Sequence, residues 1–319
     1  MTIPDIGNKI SVCLLTYNHV GVIESTLKSI LDQTVHNYDI VVSDDCSTDG
    51  TWERILEVAK TDARIRPLQT PHNLKMPGNA NFAVSQSDRP YIALLHHDDI
   101  YRKDLLEKWA ENLECYPGVG FVFNPYDVSH AERIYGRKFE NECLNGQWFL
   151  ERCLFTHWGC PVRGTAMIRR TYWNKVGGMR EQFDLVSDVD LWMRLSRISQ
   201  VGYVPEPLIS LRALRPDYYP ELYNENRFNW RRKLLVYEIH ASNRLSYFSQ
   251  KTFEGKLQWW KFRLKLSCET LMWLCYGVVR KKRRNEILRC SAESVSTYDL
   301  WPLRIFRHML QLMVGSTEC

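Results

Sequence analysis

Residues 38–53 read YDIVVSDDCSTDGTWE. Tyr38–Ser43 is an apolar run of strand length, and the acids and small residues that follow are turn formers. Trp52, Ile55, Leu56 and Ala59 then recur at helical spacing. A strand therefore passes into a helix across a loop holding Asp44, Asp45 and Asp49. The same unit stands upstream, where the run Ile10–Thr16 leads into Val20, Ile23, Leu27, Ile30 and Leu31 at helical positions. Downstream come a weaker strand over Arg64–Gln69, a short helix over Asn79–Ser85, a buried strand over Pro90–Leu95 and a helix over Lys103–Cys115 with Trp109 inward.

Apolar strands separated by helices predict an α/β fold with a mostly parallel sheet covered on both faces. Such sheets bind ligands beyond the carboxyl ends of their strands. After Gly118–Asn124 the pattern loosens through a polar stretch at 129–145, then resumes with a strand at Ala166–Arg169 and a helix at Asp190–Ile198. From Pro216 onward strand signals vanish and helical segments are expected over Glu221–Tyr237, Glu254–Leu274 and Asn285–Val295. Arg215-Pro216-Asp217 and Pro220 mark the boundary, giving a sheet domain over 1–215 and a helical C-terminal extension over 216–319.

The 319 residues are 45% apolar and 25% charged, a mix that excludes disordered and collagen-like chains. The net charge of +5 is unevenly shared. Residues 216–319 hold 18 Lys and Arg against 10 Asp and Glu, whereas residues 1–215 hold 24 against 27. An acidic front suits cation-assisted chemistry, and a basic rear suits an anionic surface. The ten cysteines have neither C-x-x-C nor paired spacing, so reduced thiols are expected. The polar start, with no signal-peptide pattern, leads us to expect a cytoplasmic protein.

Three positions gather carboxylates: Asp44, Asp45 and Asp49; Asp98 and Asp99; and Asp184, Asp188 and Asp190. In a parallel sheet the first two groups emerge at one edge, where like charges within about 4–6 Å need a cation between them. Oxygen ligands there suit Mg²⁺ or Mn²⁺ shared with a diphosphate. Each cluster is read equally well as turn and capping chemistry. His96 and His97 serve as metal ligands, phosphate contacts or turn residues on the same footing.

Four ordered segments, SVCLLTYNHVGVIESTLKSILDQT, YDIVVSDDCSTDGTWE, RPYIALLHHDDIYRKDLLE and KVGGMREQFDLVSDVDLWMRL, resemble the inverting family-two glycosyltransferases of the GT-A fold over roughly residues 10–211. The resemblance implies a nucleotide-diphosphate sugar as donor and a saccharide, often lipid-linked, as acceptor. It implies that Thr16, Tyr17 and Asn18 meet the base and ribose and that Asp44 or Asp45 bonds the base. Asn73 and Asn81 flank the nucleotide-side loop. Where relatives carry an Arg before the second asparagine this chain has Ala80, which shifts the phosphate contact to Lys75.

Relatives read Asp-x-Asp-Asp where this chain reads His96-His97-Asp98-Asp99, so the resemblance makes Asp98 the metal ligand, with His96 beside it. Asp188 matches the acceptor-deprotonating base, in a motif whose Glu is replaced by Ser187. Asp190 is the alternative base, with N-capping of its helix as the competing role. Gly177-Gly178 is expected to cap a helix, and the resemblance places Trp158, Arg163 and Gly164 at the acceptor-side wall, with plain core as the equal alternative for Trp158.

Leu266–Val279 is too short and interrupted to span a bilayer. With Trp259-Trp260-Lys261 before it and Arg280-Lys281-Lys282-Arg283-Arg284 after it, residues 259–284 suit an in-plane helix on an anionic membrane; a solvated helical cap is the competing reading. The basic run has no interleaved aromatics, so nucleic acid is not an expected partner. TYNHVG lacks the Gly-rich, basic loop of a nucleotidyltransferase. A non-catalytic nucleotide-sugar-binding relative is the remaining rival, because both motif departures touch carboxylates.

Overall fold

The computed structural model describes residues 6–128, 131–155, 160–212, 225–248, 252–279, 303–306 and 308–309. The chain divides into two compact units, Met1–Tyr218 and Tyr219–Cys319.

The first unit is built on an eight-stranded sheet. Its strands are β1 (Ile10–Thr16), β2 (Asp39–Asp44), β3 (Ile65–Gln69), β4 (Tyr91–His96), β6 (Val119–Phe123), β9 (Cys143–Leu144), β10 (Ala166–Arg169) and β11 (Gln200–Tyr203), in the order β3-β2-β1-β4-β10-β6-β11-β9. Strands β3, β2, β1 and β4 run parallel, as does β6 beside β11. The exceptions are β10, antiparallel to both β4 and β6, and β9, antiparallel to β11. Helices α1 (Val20–Leu31), α2 (Thr51–Ala59), α3 (Lys75–Ser85), α4 (Leu105–Cys115), α5 (Gly146–Phe149), α6 (Arg170–Val176) and α7 (Ser187–Ile198) complete the layers.

Strands buried on both faces explain the unbroken apolar runs of β1, β2 and β4. Ile10, Val12 and Leu14 of β1 share a core with Ile23, Leu27 and Ile30 of α1 and with Trp109 of α4. Each such aliphatic side chain contributes about 1.5–3 kcal/mol by leaving water. Beneath the other half, Phe121 lies 5.0 Å from Trp192 with the rings tilted by 31°, and Phe123 lies 5.4 Å from Tyr203.

A second sheet was not expected. Strands β5 (Asp99–Tyr101), β7 (Tyr126–Val128), β8 (Ala131–Tyr135) and β12 (Ile209–Leu211) pair in the order β5-β12-β7-β8. The polar stretch read as loose at 129–145 thus contributes β8 and β9. These strands are short and two of them are polar, so hydrogen-bonded neighbours rather than an apolar pattern define them. Helix α7 begins at Ser187, three residues before the expected start, so Asp190 lies inside its first turn and is not the N-cap. Gly177 ends α6 in the left-handed conformation at φ 74°, as expected of that pair of glycines.

In the second unit the helices Glu225–Tyr247 and Phe253–Val279 enclose Tyr237, Ala241, Trp259 and Leu303. Trp259 is therefore core rather than surface, whereas Trp260 is exposed. The expected helix at Asn285–Val295 and the basic run at 280–284 lie outside the described residues, as does Trp158. Among the described residues no helix is long and apolar enough to cross a membrane.

Candidate active site

Parallel pairing decides which loops meet. Thr16 stands opposite Asp44, Asp44 opposite Gln69, and Leu15 opposite His96. The ends of β1, β2, β3 and β4 thus form one edge carrying Thr16-Tyr17-Asn18, Asp44-Asp45 and His96-His97-Asp98-Asp99.

The two adjacent aspartates do different work. Asp44 is fully buried and accepts from the Thr16 hydroxyl at 2.9 Å, the Ser47 amide at 3.0 Å, the Ser47 hydroxyl at 2.5 Å and the Gln69 amide at 3.0 Å. Its oxygens are engaged in holding the loop. Asp45 accepts from the Thr70 hydroxyl at 2.9 Å and the Leu74 amide at 2.7 Å, both at Oδ1. Burial pushes the Asp45 carboxyl above the usual range, opposed by those hydrogen bonds. Asp49 bridges two helix starts. It accepts from the Val20 amide of α1 and the Thr51 amide of α2, each at 3.0 Å. Against the desolvation that opposes them, hydrogen bonds from Thr51 and Val20 hold its pKa below the ordinary value. For Asp49 the turn-and-cap reading is the correct one.

Asn18 sits at φ 52°, a left-handed conformation that asparagine tolerates. Its amide donates to Ser47 and its side-chain oxygen accepts from the Thr48 amide, both at 2.8 Å. This locks the first loop to the second and leaves Tyr17 37% exposed at the rim. Asn73 is exposed, and its side chain accepts from the Lys75 amide at 3.0 Å, shaping the turn before α3. Lys75 lies 3.6 Å from Asp184. Asn81 is committed elsewhere: it donates to the Met179 carbonyl and accepts from the Met179 amide, both at 2.9 Å. It is a strut between α3 and the chain just after the Gly177-Gly178 turn.

After β4 the chain leaves the large sheet at His96 and enters the small one at Asp99. The Tyr101 hydroxyl clamps this transition, accepting from the His96 amide at 2.9 Å and donating to the His96 carbonyl at 2.7 Å. Burial pushes the Asp99 carboxyl up to about 7, opposed by the Arg163 and Arg212 guanidiniums. Gly164 lies against the His96 ring so closely that a Cβ there would come within 2.3 Å of the imidazole. Ligand atoms of His96, Asp98 and Asp99 fall within 4.8 Å of one another, and so do those of His19, His97 and Asp98. Both sets have the chemistry to hold a divalent cation.

Asp188 stands in the first turn of α7, half-buried, and its charge adds to the burial that pushes the Cys160 thiol well above its ordinary value. Three and four residues on from Cys160 come Arg163, whose guanidinium lies 5.0 Å over the Tyr126 ring, and Gly164 at His96. The segment from Cys160 to Gly164 thus borders the surroundings of Asp188 at one end and of His96 at the other. Asp190 is wholly buried, with Arg194 Nε 2.7 Å from its Oδ2. His19, Ser47, Gln69 and Thr70 were not singled out from the sequence, because their nearness to the aspartates depends on strand pairing across tens of residues.

The sequence pattern of glycosyl transferase family 2 matches residues 11–177. The chain belongs to glycosyl transferase family 2. It is therefore a glycosyltransferase, and its fold is GT-A. It is 26% identical over 144 residues to the Escherichia coli UDP-Glc:alpha-D-GlcNAc-diphosphoundecaprenol beta-1,3-glucosyltransferase WfgD, covering 45% of this chain and 56% of that one. The fold is similar to that of S. aureus TarS 1-349, solved with UDP-GlcNAc, at a TM-score of 0.57 and 16% identity, with 96% and 88% of the two chains covered. It is also similar to the mannosyltransferase PcManGT from Pyrobaculum calidifontis, solved with GDP-Man and Mn²⁺, at a TM-score of 0.55 and 16% identity, covering 97% and 86%.

Proposed function

We propose that this family-two enzyme moves a sugar from a nucleotide-diphosphate sugar to a hydroxyl of a saccharide acceptor, inverting the anomeric carbon. The observation that carries the reading is the shared strand edge, which sets the Thr16–Asn18 and Asp44–Asp45 loops beside the His96–Asp99 stretch. In this reading the first two loops receive the nucleoside, with Asp45 bonding the base, since Asp44 is occupied within the protein. Asn73 shapes the loop that brings Lys75 to the diphosphate. Asp98 and His96 are the residues that would hold Mg²⁺ or Mn²⁺, whose charge would neutralise the leaving diphosphate.

Asp188 accepts the proton of the attacking hydroxyl. The reaction needs that carboxylate beside the acceptor and opposite the diphosphate, so that attack is in line. The acceptor we favour is lipid-linked, as in the name of WfgD, and is met at the anionic cytoplasmic face of a membrane. The helical unit supports this with Phe253, Leu257, Trp260 and Leu264, all exposed and spaced as one stripe on a helix that also carries Lys256, Lys261, Arg263 and Lys265.

The test is a panel of UDP-, GDP- and dTDP-sugars with and without Mn²⁺. Asp98→Ala should lose metal-dependent donor binding. Asp188→Asn should keep it and lose roughly 10²–10⁴ in transfer rate. Full turnover in Asp188→Asn would remove the base from this position, and failure of every donor to bind would remove the reading.

A further inference from the structure

Two histidines reach Asp98 from different loops. His19 is wholly buried just before α1, and His97 follows β4; their rings stand 3.5 Å apart, centroid to centroid, at 45°. His97 Nε2 lies 3.9 Å from Asp98 Oδ2, and one ligand atom from each of the three residues lies within 4.8 Å of the other two.

The rings are oriented by the backbone. His19 Nδ1 lies 2.5 Å from the Tyr17 carbonyl and His97 Nδ1 lies 2.7 Å from the Leu15 carbonyl. A carbonyl only accepts, so in each ring Nδ1 carries the proton and Nε2 carries the lone pair. This carbonyl-to-imidazole support is the arrangement that fixes tautomer and direction in metal-binding histidines. Both carbonyls belong to the end of β1 or the residue after it, so the pairing of β1 with β4 aligns the two donors before any ligand arrives.

We propose that His19 and His97 join Asp98 as ligands of one divalent transition-metal ion, so that this chain grips its metal through nitrogen as well as oxygen. The inference rests on the reading of Asp98 given above and extends it. Two imidazoles and one carboxylate favour Mn²⁺, Co²⁺ or Zn²⁺ over Mg²⁺, which prefers oxygen and keeps its waters. The ion would therefore bind without a diphosphate to complete its coordination.

The experiment is Mn²⁺ titration of the nucleotide-free full-length protein by calorimetry, with pulsed EPR of the bound ion. Wild type should bind Mn²⁺ without nucleotide, resist competition by excess Mg²⁺ and show couplings to two imidazole nitrogens. His97→Gln should weaken Mn²⁺ binding by at least about tenfold and remove one coupling, and His19→Gln the other. His36→Gln, at an exposed histidine outside the site, should leave the affinity unchanged. Absence of imidazole couplings in the unmodified protein, which needs no variant to fold, would overturn the proposal. So would unchanged affinity in both histidine variants while Asp98→Asn loses the ion, a result that leaves Asp98 standing as a ligand. Unchanged affinity in Asp98→Asn would remove the Asp98 reading itself.

Discussion

Asp190 and Arg194 form an ion pair one helical turn apart, with the carboxylate wholly buried and the guanidinium nearly so. Arg194 also donates to the Val176 and Gly178 carbonyls, each at 2.7 Å, so the pair secures the end of α6 and the glycine turn. Removing Arg194 leaves the wholly buried carboxylate with the longer contact to Arg180 at 3.5 Å. Arg194→Met should therefore cost about 3–5 kcal/mol in urea denaturation. A loss below about 1 kcal/mol, the value of a surface pair, would show that the pair is solvated in solution.

Asp44 and Asp45 should separate by phenotype. Asp44→Ala strands the buried Thr16 hydroxyl and releases the part-buried Ser47 and Gln69 donors that hold the loop; an unmet buried donor costs about 1–3 kcal/mol, so the protein should melt earlier. Asp45→Asn preserves Oδ1 and its two partners. It should fold normally yet bind nucleotide roughly 10–100-fold more weakly, the value of a hydrogen bond to a charged group. Calorimetric titration with UDP and GDP reads this out, and equal affinity would return the base contact to another residue.

Gly164 is required by contact rather than by backbone conformation. Gly164→Ala drives a methyl into the His96 ring, which must swing away. Melting temperature should hold, because His96 is only half-buried, while kcat/KM should fall by about tenfold as about 1.4 kcal/mol of positioning is lost. A variant as active as wild type would free the His96 position from catalysis.

Membrane attachment should follow the exposed stripe. Leu257→Glu and Trp260→Glu should each reduce co-flotation with vesicles rich in phosphatidylserine, and neutral vesicles should recruit little wild-type protein. Neutralising Arg280–Arg284 should weaken binding by about 1 kcal/mol per charge near the surface. Equal flotation of all the variants would leave the helix as a solvated cap.

His240, buried in the helical unit, has its pKa pushed down from 6.5 to about 3 by burial, with the Arg244 charge adding to it. Below pH 6.5 the unfolded chain binds a proton there that the folded unit refuses. Stability then falls by about 1.4 kcal/mol per pH unit down to the folded value, and is flat above 6.5 for this group. Denaturation at pH 6.5 and 5 should show a loss of about 2 kcal/mol in wild type that His240→Leu lacks.

The parallel half of the fold was legible because β1, β2 and β4 are buried on both faces and read as continuous apolar runs. Loop aspartates at strand ends follow from that topology. The small sheet was not legible: Asp99–Tyr101 and Ile209–Leu211 are three-residue strands, and only their pairing distinguishes them from loop. The N-cap role expected of Asp190 failed because a helix start is set by backbone geometry, and α7 already begins at Ser187, three residues earlier. Nor could the sequence divide the labour between Asp44 and Asp45. Their side chains are chemically alike, and their difference lies in donors supplied by Gln69, Thr70 and Leu74, more than twenty residues away.

Only His97 and Asp98 separate the last residue of β4 from the first of β5. With a ladder gripping each side, this dipeptide behaves as a bolted hinge plate and has no slack to take up. An insertion between His96 and Asp99 should therefore break one ladder or the other and displace Asp98.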